Sequence, residues 1–192
     1  MTNTFYKNTV KPIFDFIISF FLIIVLLPIF LLISILIKID SKGPIFYIQT
    51  RLGKNKKQFK IYKFRTMVID AGKLGPEYTK SNDTRITKAG KFLRKTSLDE
   101  LPQLFNVLKG DMSLVGFRPG TLKNYNNDDL NSTLFSVKPG ITGLAQVNGR
   151  SSISTEQKRK YEILYSKTIS FKQDINILLK TLKIVVNYTE SN

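Results

Sequence analysis

From Ile13 to Ile37 the chain carries a single charge, Asp15, and near the middle of that run stands Pro28. At ~1.5 Å per residue an unbroken helix of this length reaches roughly 37 Å, enough to cross a hydrocarbon core of ~30 Å with some tilt. A membrane segment follows, and a simple span is its default form. Pro28 complicates that form, because it has no N–H to donate to the carbonyl of Ile24 and divides the run into arms 13–27 and 29–37. Neither arm can cross alone. The flanks are basic on both sides: Lys7 and Lys11 precede the run, and Lys38, Lys42, Arg51, Lys54, Lys56, Lys57 and Lys60 follow it. A span would put Lys7 and Lys11 outside, whereas a helix that enters, bends at Pro28 and returns leaves every lysine in the cytoplasm. The run is also longer than the apolar core of a cleavable signal, about 15 residues at most, and no small-residue cleavage pattern follows it.

The formal charge is +16, and nearly all of the basic excess lies after Lys38. Such a surface favours polyanions, namely anionic lipid head groups, nucleotide diphosphates or nucleic acid, and beside a membrane segment lipid comes first. Cysteine and histidine are both absent. That removes disulfides, thiol nucleophiles, zinc sites of the usual ligand type and His-based triads. The remaining chemistry belongs to carboxylates, Lys, Arg, Tyr, Ser or Thr, and to a hard metal such as Mg²⁺. The part after the run suffices for one domain with a core and shows no internal repeat.

Gly43-Pro44 marks a turn, after which Ile45 to Thr50 and Phe59 to Thr66 read as a β-hairpin around Gly53 and Asn55. Ala71 to Asp83 is polar and Gly-rich and reads as a mobile loop. From Arg85 the spacing of Ile86, Ala89, Phe92 and Leu93 predicts a short basic amphipathic helix, either packed on its own core or lying at a membrane interface. A second helix is expected from Ser97, with Leu98, Leu101, Leu104, Phe105 and Leu108 in one stripe ending before Gly110. The last helix is the most periodic, with Ile175, Leu178, Leu179, Leu182, Val185 and Val186 on one face.

Asp99 and Glu100 are adjacent carboxylates at that second helix's predicted start. Ser97 and Glu100 fit an S-x-x-E capping box, and capping is the plain reading of the spacing. The same place suits phosphoryl chemistry: a helix N-terminus with nearby cations keeps Asp99 ionised and nucleophilic and leaves Glu100 to ligate Mg²⁺. Lys109 to Gly120, with Gly110, Gly116, Arg118, Pro119 and Gly120, has the makings of a phosphate-clasping loop. Pro139 to Gly143 and Asn148-Gly149-Arg150 form a second turn-rich stretch.

Order and wording together are more specific than any piece. The stretches Lys11 to Lys38, Lys60 to Met67 (KIYKFRTM), Ser97 to Leu104 (SLDELPQL), Asn106 to Gly116 (NVLKGDMSLVG), Lys138 to Gly143 (KPGITG) and Ala145 to Arg150 (AQVNGR) resemble the small monotopic phosphoglycosyl transferases of bacteria over nearly the whole chain. The resemblance implies an α+β, mainly helical fold with a small β-hairpin and amphipathic interfacial helices. It also implies a re-entrant helix-break-helix module in residues 1–40 and a membrane-associated catalytic domain in residues 41–192. Asp99 matches the family's nucleophile and Glu100 the Mg²⁺-associated acid. Arg94 and Arg118 match phosphate-contacting arginines, Arg150 a position near the nucleotide, and Pro28 the helix break.

The implied reaction moves a sugar 1-phosphate from a UDP-sugar to a polyprenyl phosphate at the cytoplasmic face of the inner membrane. Membrane lipids are implied neighbours, no nucleic-acid partner is expected, and a homodimer or glycan-pathway partners stay open. This chain differs from the pattern at Leu27 before Pro28, where Ser is usual, at Phe117 in Phe117-Arg118-Pro119, at Leu144 and at Ser151-Ser152. Those changes fall around the substrate region and leave the sugar unassigned. Composition alone favours a membrane-anchored basic binding protein for nucleic acid or anionic lipid, and a non-catalytic subunit of a glycan-assembly complex is the third class.

Overall fold

The computed structural model describes residues 4–75, 83–149 and 152–190. A five-residue π-turn, Tyr6–Val10, runs into helix α1, Lys11–Asp40, which continues through Pro28. One face of α1 is turned to the protein along its length. Asp15, Ser19, Phe30, Ile33 and Ile37 are buried on it, with Ile18, Leu22, Ile23 and Leu26 packed partly between them. The other face is exposed and wholly apolar, with Ile13, Phe16, Phe20, Phe21, Ile24, Leu31 and Leu32 standing out. By length and composition Tyr6–Asp40 is the one helix among the described residues able to cross a membrane.

Strands β1, Phe46–Leu52, and β2, Gln58–Phe64, form the expected hairpin, pairing Phe46 with Phe64 and Leu52 with Gln58. Asn55 and Lys56 both take positive φ to close its turn. Arg65, just beyond β2, donates to the carbonyls of Pro44, Lys42 and Ser41, which ties the hairpin to the residues leaving α1. Where a loop is expected, α2, Ala71–Leu74, makes one helical turn, and the rest of that stretch, residues 76–82, lies outside the described residues.

Helix α3, Lys88–Thr96, is capped by Thr87, whose hydroxyl accepts from the N–H of Gly90. Its start is held to the end of α1 by the Ala89 N–H donating to Asp40 at 2.9 Å. Gly90 is required by close approach, since a Cβ there would lie 2.1 Å from the Thr66 carbonyl oxygen. Leu93 of α3 is buried against Phe30, Ile33, Ile37 and Phe64, forming a small core beneath the second half of α1. Phe92, expected on the same stripe, points outward and is 54% exposed among the helix lysines.

The expected second helix is broken into two. Leu98–Glu100 is a single 3₁₀ turn, and α4 runs from Gln103–Leu108 after Pro102. Asn106 of α4 is fully buried and clamps β2, donating to the Lys60 carbonyl and accepting from the Tyr62 N–H. The two Gly-rich stretches that read as loops hold strands instead. β3, Ser113–Val115, pairs in parallel with β4, Gly140–Thr142. Between them lie a 3₁₀ turn, Leu122–Asn124, and α5, Asn127–Asn131. After β4 come α6, Leu144–Val147, α7, Thr155–Thr168, and α8, Phe171–Glu190.

The larger core gathers Phe117, Leu134, Phe135, Tyr165, Ile169 and Ile177 around β3, and the first half of α1 packs on it. Helix α7, not foreseen from periodicity, opens with a full Ser154/Gln157 capping box. In α8 the inward residues are Asp174 and Ile177, whereas Leu179 and Leu182 of the expected apolar face are 61% and 63% exposed. A buried polar knot joins four elements: Lys11 and the hydroxyls of Tyr6 and Tyr165 all donate to Asp174 at 2.6 Å. Asp15 accepts in turn from the Ser113 hydroxyl at 2.6 Å and the Leu114 N–H at 3.3 Å.

Candidate active site

Helix α3 ends at Ser97, which takes φ 59°, and this left-handed residue swings the chain sharply into the 3₁₀ turn that carries Asp99 and Glu100. Ser97 makes no side-chain cap there. The capping-box reading therefore fails, and the physical reason is Glu100's choice of partners. Glu100 Oε1 accepts from Lys63 Nζ of β2 at 2.7 Å and from Arg118 Nη2 at 2.6 Å, with Arg118 Nη1 at 3.4 Å from Oε2. Charge-assisted bonds to two cations outweigh a single contact to a neutral N–H. Burial alone would raise the Glu100 carboxyl, but Arg118 and Lys63 outweigh it and hold it at about 2.

Asp99 is placed differently. It is half-buried, and among the described residues no hydrogen bond or salt bridge fixes its carboxylate. Burial pushes its pKa up, Lys63 pulls against it, and the neighbouring Glu100 charge adds to the rise, with Arg94 and Arg118 also opposing. Arg94 is oriented by Nε donating to Thr66 Oγ1 at 2.9 Å. The structure thus brings Asp99, Glu100, Arg94 and Arg118 into one electrostatic cluster. Pro28 is exposed in the middle of α1 and is not among the residues lining the cleft, and Arg150 lies outside the described residues.

Lys63, Glu100, Gln103 and Arg118 border an open cavity of about 300 Å³, whose far wall carries Lys158 and Arg159 of α7. Arg118 is anchored from behind by its own N–H, which donates to Glu162 Oε1 at 3.1 Å. Glu162 is held in turn by Arg159 Nη1 at 2.6 Å, and Arg159 also pairs with Asp129 and lies over the Tyr125 ring at 4.5 Å. Sequence reasoning named neither Lys63 nor this second wall. Lys63 lies inside the KIYKFRTM stretch, which was a signal, while nothing in the local sequence of α7 points to Glu162.

The site sets one carboxylate, Glu100, restrained in a cation-lined cleft and its sequence neighbour Asp99 unrestrained, in a protein with an exposed apolar helix, and such an arrangement suits anionic ligands. Residues 6–188 match the model of the bacterial sugar transferase family, and the chain belongs to that family. Similar proteins include the galactosyl transferase CpsE of Streptococcus agalactiae serotype III (strain NEM316), 46% identical over 75% of this chain and 35% of the relative. The UDP-glucose:undecaprenyl-phosphate glucose-1-phosphate transferase of Klebsiella pneumoniae is 42% identical over 90% of this chain and 39% of the relative. The uncharacterized sugar transferase EpsL of Bacillus subtilis (strain 168) is 41% identical over 92% of this chain and 87% of its own length. The chain thus spans well under half the length of the first two, and the family resemblance read from its motifs is borne out.

Proposed function

We propose that this chain transfers a sugar 1-phosphate from a UDP-sugar to a polyprenyl phosphate, undecaprenyl phosphate, releasing UMP. The observation that carries the reading is the Asp99–Glu100 pair, with Glu100 lining a cationic cleft and Asp99 next to it under the influence of Lys63, Arg94 and Arg118, in a bacterial sugar transferase. The printed function of the Klebsiella relative supports the substrate classes. In the first step an Asp99 oxygen attacks the sugar-bearing phosphorus, the bond from that phosphorus to the UMP oxygen breaks, and a phosphosugar stays on Asp99 as a mixed anhydride. In the second a polyprenyl phosphate oxygen attacks the same phosphorus, the bond to Asp99 breaks, and the carboxylate is restored. Lys63, Arg94 and Arg118 stabilise the charge on the non-bridging oxygens. The acceptor is already an anion at neutral pH, so no general base is called for.

Among the described residues no group of three or more acidic, His or Cys side chains is set to hold a metal. Mg²⁺ commonly uses one or two protein carboxylates and completes its shell with substrate phosphates and water, and the Glu100 carboxylate fits that donor set. Glu100 would hold it, and a bound Mg²⁺ supplies neutralisation of the diphosphate charge.

We place the protein at the cytoplasmic face of the inner membrane with α1 entering from one side only. Both ends of α1 support this, because Lys11 and Asp15 are buried against α8 and β3 while Phe30, Ile33 and Ile37 are buried against β2 and α3 of the same domain. A crossing helix would carry one end away from the domain that both ends touch. A re-entrant path turning about Pro28, through which α1 runs as one helix in this structure, would keep Asp99 at head-group depth, where the acceptor phosphate lies.

The test is a panel of UDP-sugars offered with undecaprenyl phosphate to the protein in nanodiscs, measuring UMP. Release with at least one sugar is expected, and no release across the panel would overturn the proposal. The acid side of the pH–rate profile gives a second check. Asp99 must be ionised to attack, so the rate falls as pH drops through its pKa. Lys63 holds that pKa down, so Lys63→Met is expected to move the acid limb to higher pH. A limb that stays in place would remove Asp99 from the role.

A further inference from the structure

A second cavity, of about 240 Å³, opens beside the start of α1. Lys7, Lys11, Lys54 and Lys138 line it, with Asp15 and Ser113 among its neighbours, and it shares no lining residue with the Glu100 cleft. The β3–β4 pair separates the two: Ser113 lines one cavity and its ladder partner Gly140 the other. We propose that this cavity binds the phosphate of an anionic phospholipid head group.

The charge count within the cavity is unbalanced. Lys11 is already committed, 2.6 Å from Asp174 and 3.7 Å from Asp15, and Asp15 is committed to Lys11, Ser113 and the Leu114 N–H. Lys7 reaches only the Ser136 hydroxyl, at 3.4 Å. Among the described residues no carboxylate lies within salt-bridge distance of Lys7, Lys54 or Lys138. Cations brought together with no carboxylate in contact repel one another: burial lowers the Lys138 ammonium, with Lys54 and Lys11 adding to the fall and Asp15 and Asp111 opposing it, and burial with Lys54 nearby lowers that of Lys7. An anion at their centre relieves that cost. A phosphate offers oxygens to all three ammonium groups, whose point charges suit it without a fixed fork.

The surroundings choose between a lipid and a free phosphate. Phe5, Ile13 and Phe171 stand 70%, 57% and 50% exposed at this end of α1, with Phe171 packed edge-on against Tyr6 and Phe14. Acyl chains cover such a surface, and a free phosphate gains nothing from it. Cationic sites at the base of an apolar helix recognise anionic lipids in this manner.

The experiment uses the full chain in detergent, titrated with dioleoyl phosphatidylglycerol and, separately, with dioleoyl phosphatidylcholine, with bound lipid counted by native mass spectrometry. Phosphatidylglycerol is expected to bind more tightly, and Lys54→Glu/Lys138→Glu to weaken it by about tenfold or more. Lys123→Glu/Lys160→Glu makes the same change in net charge at exposed positions and is expected to leave binding intact. Lys54→Gln/Lys138→Gln serves if the reversed pair does not fold, and should weaken binding in the same direction. Equal binding of the two lipids, or equal loss in the control, would overturn the site. Inorganic phosphate that displaces phosphatidylglycerol at equal concentration would overturn the lipid assignment in favour of a free anion. The lysine variants should also release UMP in detergent at the wild-type rate and with the wild-type KM for polyprenyl phosphate. A raised KM would make the cavity the acceptor site and overturn the proposal.

Discussion

Asp99→Asn is expected to lower UMP release by on the order of 10³-fold or more while leaving membrane association unchanged. The amide keeps the volume and the 3₁₀ turn but removes the anion that, on the proposed mechanism, attacks phosphorus. The choice of Asp99 over Glu100 follows from how each is held. Glu100 spends its charge on Lys63 and Arg118 and sits at about 2, which makes it a poor nucleophile. Asp99 is desolvated, raised and unpinned, so its lone pairs stay available. A single-turnover experiment separates the roles: with a UDP-sugar and no acceptor, the wild type should gain the mass of one phosphosugar, and Asp99→Asn none. UMP release from the variant at the wild-type rate would sink the assignment.

Asp174→Ala should be the most damaging single change to stability away from the site. Asp174 is 2% exposed and accepts from Lys11, Tyr6 and Tyr165, so its loss strands a buried ammonium and two buried hydroxyls. Breaking a buried ion pair from one side costs about 3–5 kcal/mol, because the remaining charge is uncompensated. The double variant Lys11→Met/Asp174→Leu removes both charges, and is expected to recover most of that loss. Unfolding of each protein in detergent measures the difference. Near-wild-type stability for Asp174→Ala would show that the knot contributes little to holding α1 against α8.

Much of the fold was legible where the signal is local. The hairpin shows in aromatic and β-branched runs around Gly53 and Asn55, and α3 and α8 show in their periodicity. The strands β3 and β4 were not legible, because each has three residues and they pair across 25 intervening positions or more, in Gly-rich stretches that resemble turns. Helix α7 is too polar for a periodic signal, although Ser154-x-x-Gln157 announced its start. At the site, Asp99 and Glu100 could be found from their spacing and motif, whereas Glu100's partners come from positions 63 and 118. A capping box and an ion-paired acid look alike until the distant cation is known. Asp15 likewise read as a lone charge in an apolar run; Lys11 is its i−4 neighbour on α1, and only the tertiary structure supplies Ser113 and the Leu114 N–H around it.

Glu100's hold on Lys63 and Arg118 means that the cleft already contains its own anion. An arriving phosphate does not meet bare cations; it must exchange with a resident carboxylate. A singly charged visitor gains little from such an exchange, since it gives up water merely to replace one negative charge with another. A diphosphate brings enough charge to engage both cations and release Glu100 for other work. On the proposed function, discrimination against the many small anions of a cell would be set before any sugar is read.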